Sequence, residues 1–371
     1  MPFSSSLAGQ LILCGVPGPE LDAETRERLR RVQPGGYIIF GRNIKSARQL
    51  RRLLDDLRGI SEIEPIVTID QEGGRVSRLK LLGNEPPNAK QIRETGNLQL
   101  VEAHGRITAG LLRLFGFNLD LCPVLDIAFE EDADNSVRGR CWGCNAEETI
   151  ENASAFHQAL VAGGVLGCGK HFPGYSAAPV DPHEELPTIL RSREELEDQE
   201  LAVFRHFSSG SQTIASMMVG HGFYPALQEQ KGPSSLDPAV VSGLLKQELG
   251  FQGLIMTDDL DMGAILNERG FAETITGAVH AGNHMVMICH RLEMVEEASA
   301  LLQKQPKEVI QSGVDGVLRF KKQLQVPTEF SEAAFARLDE EVWDLRVQVL
   351  GEDLAASRSP EDGKRSPVEL Y

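Results

Sequence analysis

The 371-residue sequence has no long apolar run and no excess of basic residues. Its uninterrupted apolar stretches reach about six residues, whereas an α-helix needs about 20 to span a bilayer, so no membrane-spanning segment is expected. The formal net charge of −17 disfavours nucleic acid and anionic membrane surfaces as partners. No basic region precedes the short apolar segment near the N-terminus, so we predict no secretory signal and expect a cytoplasmic protein.

Redox, metal and dinucleotide signatures are weak. Most of the six cysteines fall in apolar runs, and only CWGC at 141–144 has redox spacing. A metal-dependent hydrolase is disfavoured because the early strand-like runs contain no His-x-His pair. Its candidate ligands would be Lys170, His183, His221 and Asp258. CGVPGPE, after the first apolar run, matches a dinucleotide-binding turn poorly, which disfavours a doubly wound sheet.

Short, nearly continuous apolar runs alternate with helical patterns about eight times, which predicts an α/β fold with a parallel sheet. The predicted strands are LILCG (11–15), GYIIFG (36–41), PIVTID (65–70), NLDLCPVLDI (118–127), VLGCGKHF (165–172), IASMMVGH (214–221), GLIMTDD (253–259) and HMVMICH (284–290). The alternation predicts a single-domain (β/α)8 TIM-type barrel or a close variant. We assign the barrel domain to residues 1–350 and predict a mobile polar tail at 351–371.

Polar side chains fall where several predicted strands end, which is the active face of such a barrel. They are Asp70, Asp126, Lys170 with His171, His221, and Asp258 with Asp259. A single one of them fits a structural role, but charges repeated at the same strand end indicate a functional site. In DQEGGRVSR (70–78), a carboxylate followed by two arginines suits hydrogen bonding to sugar hydroxyls. Glycoside chemistry with a carboxylate nucleophile and a separate proton donor is therefore favoured.

The sequence resembles glycoside hydrolase family 3, and within it the single-domain bacterial β-N-acetylhexosaminidases that recycle cell-wall fragments. The matching segments follow in family order from residue 9 to about 325. They are GGYIIFGRNI, TIDQEGGRVSRL, GKHFPG with DPH, MMVGHGFYPAL, SSLDPAVVSGLLKQELGFQGLIMTDDLDM and AGNHMVMICH. The resemblance implies a retaining, exo-acting enzyme that releases terminal β-linked N-acetylglucosamine from muropeptide-type fragments.

The resemblance also implies roles for individual positions. Asp258 matches the nucleophile, and Asp181 with His183 match the Asp-x-His acid/base pair. The matching sugar-binding residues are Asp70, Arg78, Arg140, Lys170 and His171. The match of Arg140 is loose because Arg138 lies two residues away. No metal or organic cofactor is implied, and the partner is a small carbohydrate; the sequence gives no oligomeric state.

In an extended segment, residues i and i+2 face the same way, so Asp181 can orient His183 toward the glycosidic oxygen. Tyr175 and Ser176 replace the usual second His and Gly after KHFPG, and Pro182 stands within the Asp-x-His pair. Two alternatives stay open: a phosphorylase or other β-glycosidase on the same scaffold, and a non-catalytic sugar-binding protein.

Overall fold

The computed structural model describes residues 5–130, 136–175, 186–266 and 269–359. Eight parallel strands close into a barrel in the order β1-β10-β9-β8-β7-β6-β3-β2. These strands are β1 (Ile12–Gly15), β2 (Gly36–Ile39), β3 (Ile66–Ile69), β6 (Leu119–Asp120), β7 (Leu166–Phe172), β8 (Ser216–Val219), β9 (Leu254–Asp259) and β10 (Met285–Ile288). A two-stranded hairpin, β4 (Gln71–Gly73) with β5 (Val76–Ser77), follows β3. The predicted (β/α)8 barrel is thereby confirmed.

Helices surround the barrel. They are α1 (Ala23–Val32), α2 (Ala47–Gly59), α3 (Ala89–Arg93), α4 (Leu98–Phe115), α5 (Ala146–Ala162), α6 (Arg193–Asp198), α7 (Glu200–Ser208), α8 (Gly263–Leu266), α9 (Phe271–Ala281), α10 (Val295–Gln303), α11 (Lys307–Lys321), α12 (Glu332–Leu350) and α13 (Glu352–Ala355). A further segment, Ala239–Glu248, has π-type hydrogen bonding. None of the described helices is long and apolar enough to cross a membrane.

Local sequence signals account for many helix ends. The Asp22 side chain accepts the backbone N–H of Thr25 at 2.7 Å and so caps α1. Ser46 caps α2 in the same way. Gly116, with φ of 103°, ends α4 in the left-handed region, where glycine carries no Cβ penalty.

Several elements differ from the sequence prediction. The strand expected over 118–127 is reduced to β6 because Pro123 has no N–H to donate to the ladder. Residues 192–207 have one continuous helical sequence pattern, but they form two helices, α6 and α7, because the φ of −122° and ψ of −86° at Gln199 are not helical. The hairpin β4–β5 and the helices after residue 290 were not predicted.

The segment predicted to be a tail is partly structured. Its first residues form α13, and Ser359 donates its hydroxyl to Glu85 Oε1 at 2.7 Å. Buried Arg346 on α12 donates to the carbonyl of Ala355 at 2.8 Å. A domain boundary at residue 350 stays a prediction, but residues 351–359 contact helix α12 and Glu85.

Candidate active site

A cleft of about 630 Å³ lies at the carboxyl end of the barrel strands and opens to solvent. Six of the eight candidate site residues line it: Asp70, Arg78, Arg140, Lys170, His171 and Asp258. They come from the ends of β3, β7 and β9 and from the loops that follow β5 and β6. The fold therefore brings together residues that are up to 188 positions apart, from Asp70 to Asp258.

Lys170 is the centre of a buried charge network. Its ammonium lies 2.6 Å from Asp70 Oδ1 and 2.6 Å from Glu72 Oε1. Arg140 donates Nε and a terminal nitrogen to the two oxygens of Glu72, at 2.7 and 2.8 Å. Burial would raise the pKa of the Glu72 carboxyl, but Arg140 and Lys170 outweigh it and hold that pKa well below its usual range. Glu72 thus stays ionised and fixes both cations at the cleft floor.

Asp70 joins this network to Arg78. The Arg78 guanidinium lies 3.8 Å from Asp70 Oδ2 and 6.0 Å from the centre of the Phe40 ring. Asp70 is partly exposed whereas Arg78 is buried, so the Asp70 carboxylate faces the cleft and the buried Arg78 guanidinium offsets its charge. A carboxylate and a guanidinium in this arrangement can accept from and donate to adjacent sugar hydroxyls.

His171 is oriented by a buried carboxylate. Its Nδ1 lies 2.7 Å from Asp126 Oδ2, and because a carboxylate only accepts, we assign the proton to Nδ1. Asp126 also accepts the backbone N–H of Tyr175 at 2.5 Å. The Tyr175 ring lies 5.1 Å from that of His171, and its hydroxyl accepts the backbone N–H of His221. Burial, followed by the charge of Asp258, raises the pKa of the Tyr175 phenol well above its usual range.

Asp258 and Asp259 are adjacent, but their environments differ. Asp258 is half-buried at the end of β9, and Oδ1 accepts the backbone N–H of Asp259 at 2.8 Å. Among the described residues the Asp258 carboxylate makes no other hydrogen bond or ion pair. Asp259 Oδ1 accepts the backbone N–H groups of Asp261 and Cys289 at 3.0 and 3.1 Å. The Asp259 carboxylate is thus held by backbone hydrogen bonds, whereas one oxygen of Asp258 is available to bind a ligand.

His221 is unsuited to the metal site considered above. Its Nδ1 lies 2.7 Å from the Ser235 hydroxyl and its Nε2 lies 2.9 Å from the Asp259 carbonyl. Within the described part of the chain, a different group has ligand atoms within 4.8 Å of one another: Asp259, Cys289 and His290.

Asp181 and His183 lie outside the described residues. The residue before the undescribed segment, Tyr175, lines the cleft. On its other side, Pro187 accepts the backbone N–H of Phe223 at 2.8 Å. Tyr175 and Pro187, on either side of 176–185, are thus each hydrogen-bonded to a distant part of the chain, and the roles of Asp181 and His183 stay predictions.

Sequence reasoning did not assign Glu72, and it noted Asp126 and Tyr175 without giving them a role in the site. Glu72 lies two residues after Asp70, and the period of an extended strand places both on one face, so its signal was present. The contacts of Asp126 and Tyr175 depend on how two barrel units pack. The structure also separates Arg140, which lines the cleft, from Arg138, which lines a small pocket beside Phe129.

A closed (β/α)8 barrel with a carboxylate at the end of β9, in a cleft lined by further carboxylates and cations, is suited to chemistry on a carbohydrate. The model of the glycosyl hydrolase family 3 N-terminal domain matches residues 6–325. The chain belongs to this family, and it is a glycoside hydrolase. The resemblance noted in the sequence is confirmed.

Two relatives and two solved structures show how close the similarity is. The chain is 33% identical over 304 residues to a β-hexosaminidase of Vibrio cholerae, covering 78% of this chain and 89% of the relative. It is 32% identical over 299 residues to a β-hexosaminidase of Pseudomonas aeruginosa, covering 80% and 87%. A family 3 β-N-acetylglucosaminidase from Paenibacillus sp. aligns with a TM-score of 0.86 and 29% identity, covering 94% of this chain and 69% of that one. NagZ from Neisseria gonorrhoeae in complex with N-trifluoroacetyl-D-glucosamine aligns with a TM-score of 0.77 and 25% identity, covering 90% and 97%.

Proposed function

We propose that the protein is a retaining, exo-acting β-N-acetylglucosaminidase. Its relatives include β-hexosaminidases, and one structural neighbour is a complex with an N-acylated glucosamine. The sequence resemblance to β-N-acetylhexosaminidases that recycle cell-wall fragments suggests terminal β-linked N-acetylglucosamine of muropeptide-type fragments as the substrate. A cytoplasmic role in peptidoglycan recycling is part of this proposal.

The position of Asp258 is the observation that carries the proposal. One carboxylate oxygen is anchored by the backbone N–H of Asp259, and the other has no partner among the described residues. An anchored carboxylate with one available oxygen, beside groups that can hold the sugar hydroxyls, suits attack on an anomeric carbon.

In the proposed reaction, Asp70, Arg78, Arg140, Lys170 and His171 hold the terminal sugar. Asp258 attacks the anomeric carbon and forms a glycosyl ester while His183 protonates the leaving oxygen. A water molecule, deprotonated by His183, then attacks the same carbon and releases the sugar and Asp258. Asp181 orients the His183 ring throughout. These steps require no metal or organic cofactor.

The test is release of p-nitrophenol from its β-N-acetylglucosaminide in phosphate-free buffer. Wild type should turn over, and Asp258→Asn should lose at least about 10³-fold in kcat because a neutral amide cannot form the ester. Asp259→Asn tests the assignment of the nucleophile, since it should be impaired less than Asp258→Asn. A product that is a sugar phosphate, formed only with added phosphate, would identify a phosphorylase instead. Sugar binding without turnover under either condition would identify a non-catalytic protein.

A further inference from the structure

Asp259 is held from several sides although it is not the proposed nucleophile. Its backbone carbonyl lies 2.9 Å from His221 Nε2, and its Oδ1 accepts the backbone N–H of Cys289 at 3.1 Å. Its other oxygen, Oδ2, lies 3.3 Å from His290 Nε2. Because the N–H of Asp259 is the group that anchors Asp258 Oδ1, every contact that fixes Asp259 also fixes the carboxylate beside it.

The second ring nitrogen of His290 is bound by Arg42. The guanidinium NH1 lies 3.1 Å from His290 Nδ1, and NH2 donates to the Cys289 carbonyl at 2.6 Å. Arg42 Nε donates to the carbonyl of Val16 at 3.0 Å, and the guanidinium lies 4.6 Å from the centre of the Phe40 ring. Arg42 thereby links the ends of β1, β2 and β10 and is itself held in place.

These contacts determine the tautomer of His290. A guanidinium only donates hydrogen bonds, so Nδ1 must accept from Arg42 and the ring proton is on Nε2. The proton on Nε2 then faces Asp259 Oδ2, which lies 3.3 Å from that nitrogen and attracts the proton electrostatically. The hydrogen bond from Arg42 thus determines that His290 presents a proton, and not a lone pair, to Asp259.

This arrangement argues against a resident metal at Asp259, Cys289 and His290, although their ligand atoms are close together. Coordination through His290 Nε2 would require loss of its proton while Nδ1 still accepts from Arg42, which would leave an imidazolate. Burial also raises the pKa of the Cys289 thiol well above its usual range, which disfavours the thiolate that a metal needs.

We infer that Arg42, His290 and Asp259 are positioning residues that orient the Asp258 carboxylate for attack. The inference rests on the proposed function, because it assigns the nucleophile to Asp258. His290 is partly exposed to the cleft, and its Nε2 lies 3.3 Å from Asp259 Oδ2, so the inferred effect of His290 on catalysis passes through Asp259.

Two substitutions of His290 separate positioning from packing. The amide of His290→Gln can donate to Asp259 and accept from Arg42, whereas His290→Leu can do neither. We expect His290→Leu to lose about 30-fold in kcat/KM for the p-nitrophenyl substrate, since small misplacements of a reacting group have effects of this order. His290→Gln should recover most of that loss. The dissociation constant for N-acetylglucosamine, measured by calorimetry, should change by less than about 3-fold in either variant, because the residues proposed to hold the sugar are unchanged.

A double-mutant cycle distinguishes this inference from the proposed function. In an Asp258→Ala background, azide can replace the missing carboxylate by attacking the anomeric carbon and expelling p-nitrophenolate. The azide-dependent rate of Asp258→Ala should be the same whether residue 290 is His or Leu, because the contacts of Arg42, His290 and Asp259 act only through the Asp258 carboxylate. An equal loss of rate from His290→Leu in both backgrounds, or equal activity of His290→Leu and wild type, would overturn the inference that these residues position Asp258. An Asp258→Ala variant that keeps wild-type activity without azide would overturn the proposed function itself.

Discussion

Glu72 shows how a single buried residue can organise the candidate site without lining the cleft itself. Its carboxylate neutralises Lys170 and Arg140, and both of these side chains line the cleft. Asp70 shares Lys170 with Glu72 but is more exposed, with 15% of its side chain accessible against 6% for Glu72. The positions of the two carboxylates therefore differ: Glu72 holds the two cations, whereas Asp70 is open to the cleft.

Glu72→Gln should destabilise the fold, because it leaves two buried cations short of a counter-charge. Breaking a buried ion pair costs about 3–5 kcal/mol in the free energy of unfolding, which urea denaturation would detect. Asp70→Asn is the matched variant, and we expect it to raise KM with a loss of less than about 2 kcal/mol in stability. Equal stability losses in the two variants would contradict this difference between the two carboxylates.

The sequence indicated the barrel strands because buried parallel strands are nearly continuous apolar runs, and all eight appear close to their predicted positions. The hairpin β4–β5 carries no such signal, since QEG and VS are short and the first is polar. Helix α12 was missed because its charged pattern shows only a narrow apolar face, with Val342 and Leu345 buried. Contacts such as Asp126 with Tyr175 join separate elements, so local sequence patterns could not predict them.

The C-terminal segment supports the hairpin through the loop at 83–88. Arg346 donates to the Glu85 carbonyl at 2.9 Å, and Ser359 donates its N–H to Glu85 Oε1 at 3.0 Å. The same loop reaches the hairpin, because the Pro86 carbonyl accepts the N–H of Gly74 at 2.8 Å. Residues 351–359 thus connect the end of the chain to the segment that carries Asp70 and Glu72.

Truncation after residue 350 should therefore lower stability and weaken substrate binding. We expect a loss of about 2–4 kcal/mol, because buried Glu85 and Arg346 lose hydrogen-bond partners, together with a higher KM. Truncation after Ser359 is the control, since it keeps every contact named above. Two truncations that melt alike and have the same KM would show that residues 351–359 belong to the mobile polar tail that the sequence pattern predicted.

At the scale of the whole molecule, the barrel is closed by contacts between its first and last units. Buried Lys321 at the end of α11 donates to Gln10 Oε1 at 2.7 Å, and Gln10 donates to the Gln33 carbonyl at 2.8 Å. Leu11 packs beside Gly313 on the same helix. Burial, only partly offset by Glu64, lowers the pKa of the Lys321 ammonium from 10.5 to about 7. Closing the barrel therefore places an ionisable group where its charged form is disfavoured.

The pH dependence of the free energy of unfolding should differ between Lys321→Met and wild type. Between about pH 7 and 10, Lys321 is mostly protonated in the unfolded chain and mostly neutral in the folded protein. Because the unfolded state binds the extra proton, the free energy of unfolding of wild type rises with pH over this range. The methionine variant lacks that dependence, so its stability minus that of wild type should fall by about 1.4 kcal/mol per pH unit over this window. Below pH 7 the difference between the variant and wild type should become constant, and its value also includes the hydrogen bond that Gln10 loses.

Phe320→Leu, a substitution of a buried neighbour on α11, is the control, and its difference in stability from wild type should not vary with pH. Urea denaturation of the three proteins from pH 6 to 10 measures these differences, and a flat profile for Lys321→Met would mean that Lys321 stays charged in the folded barrel.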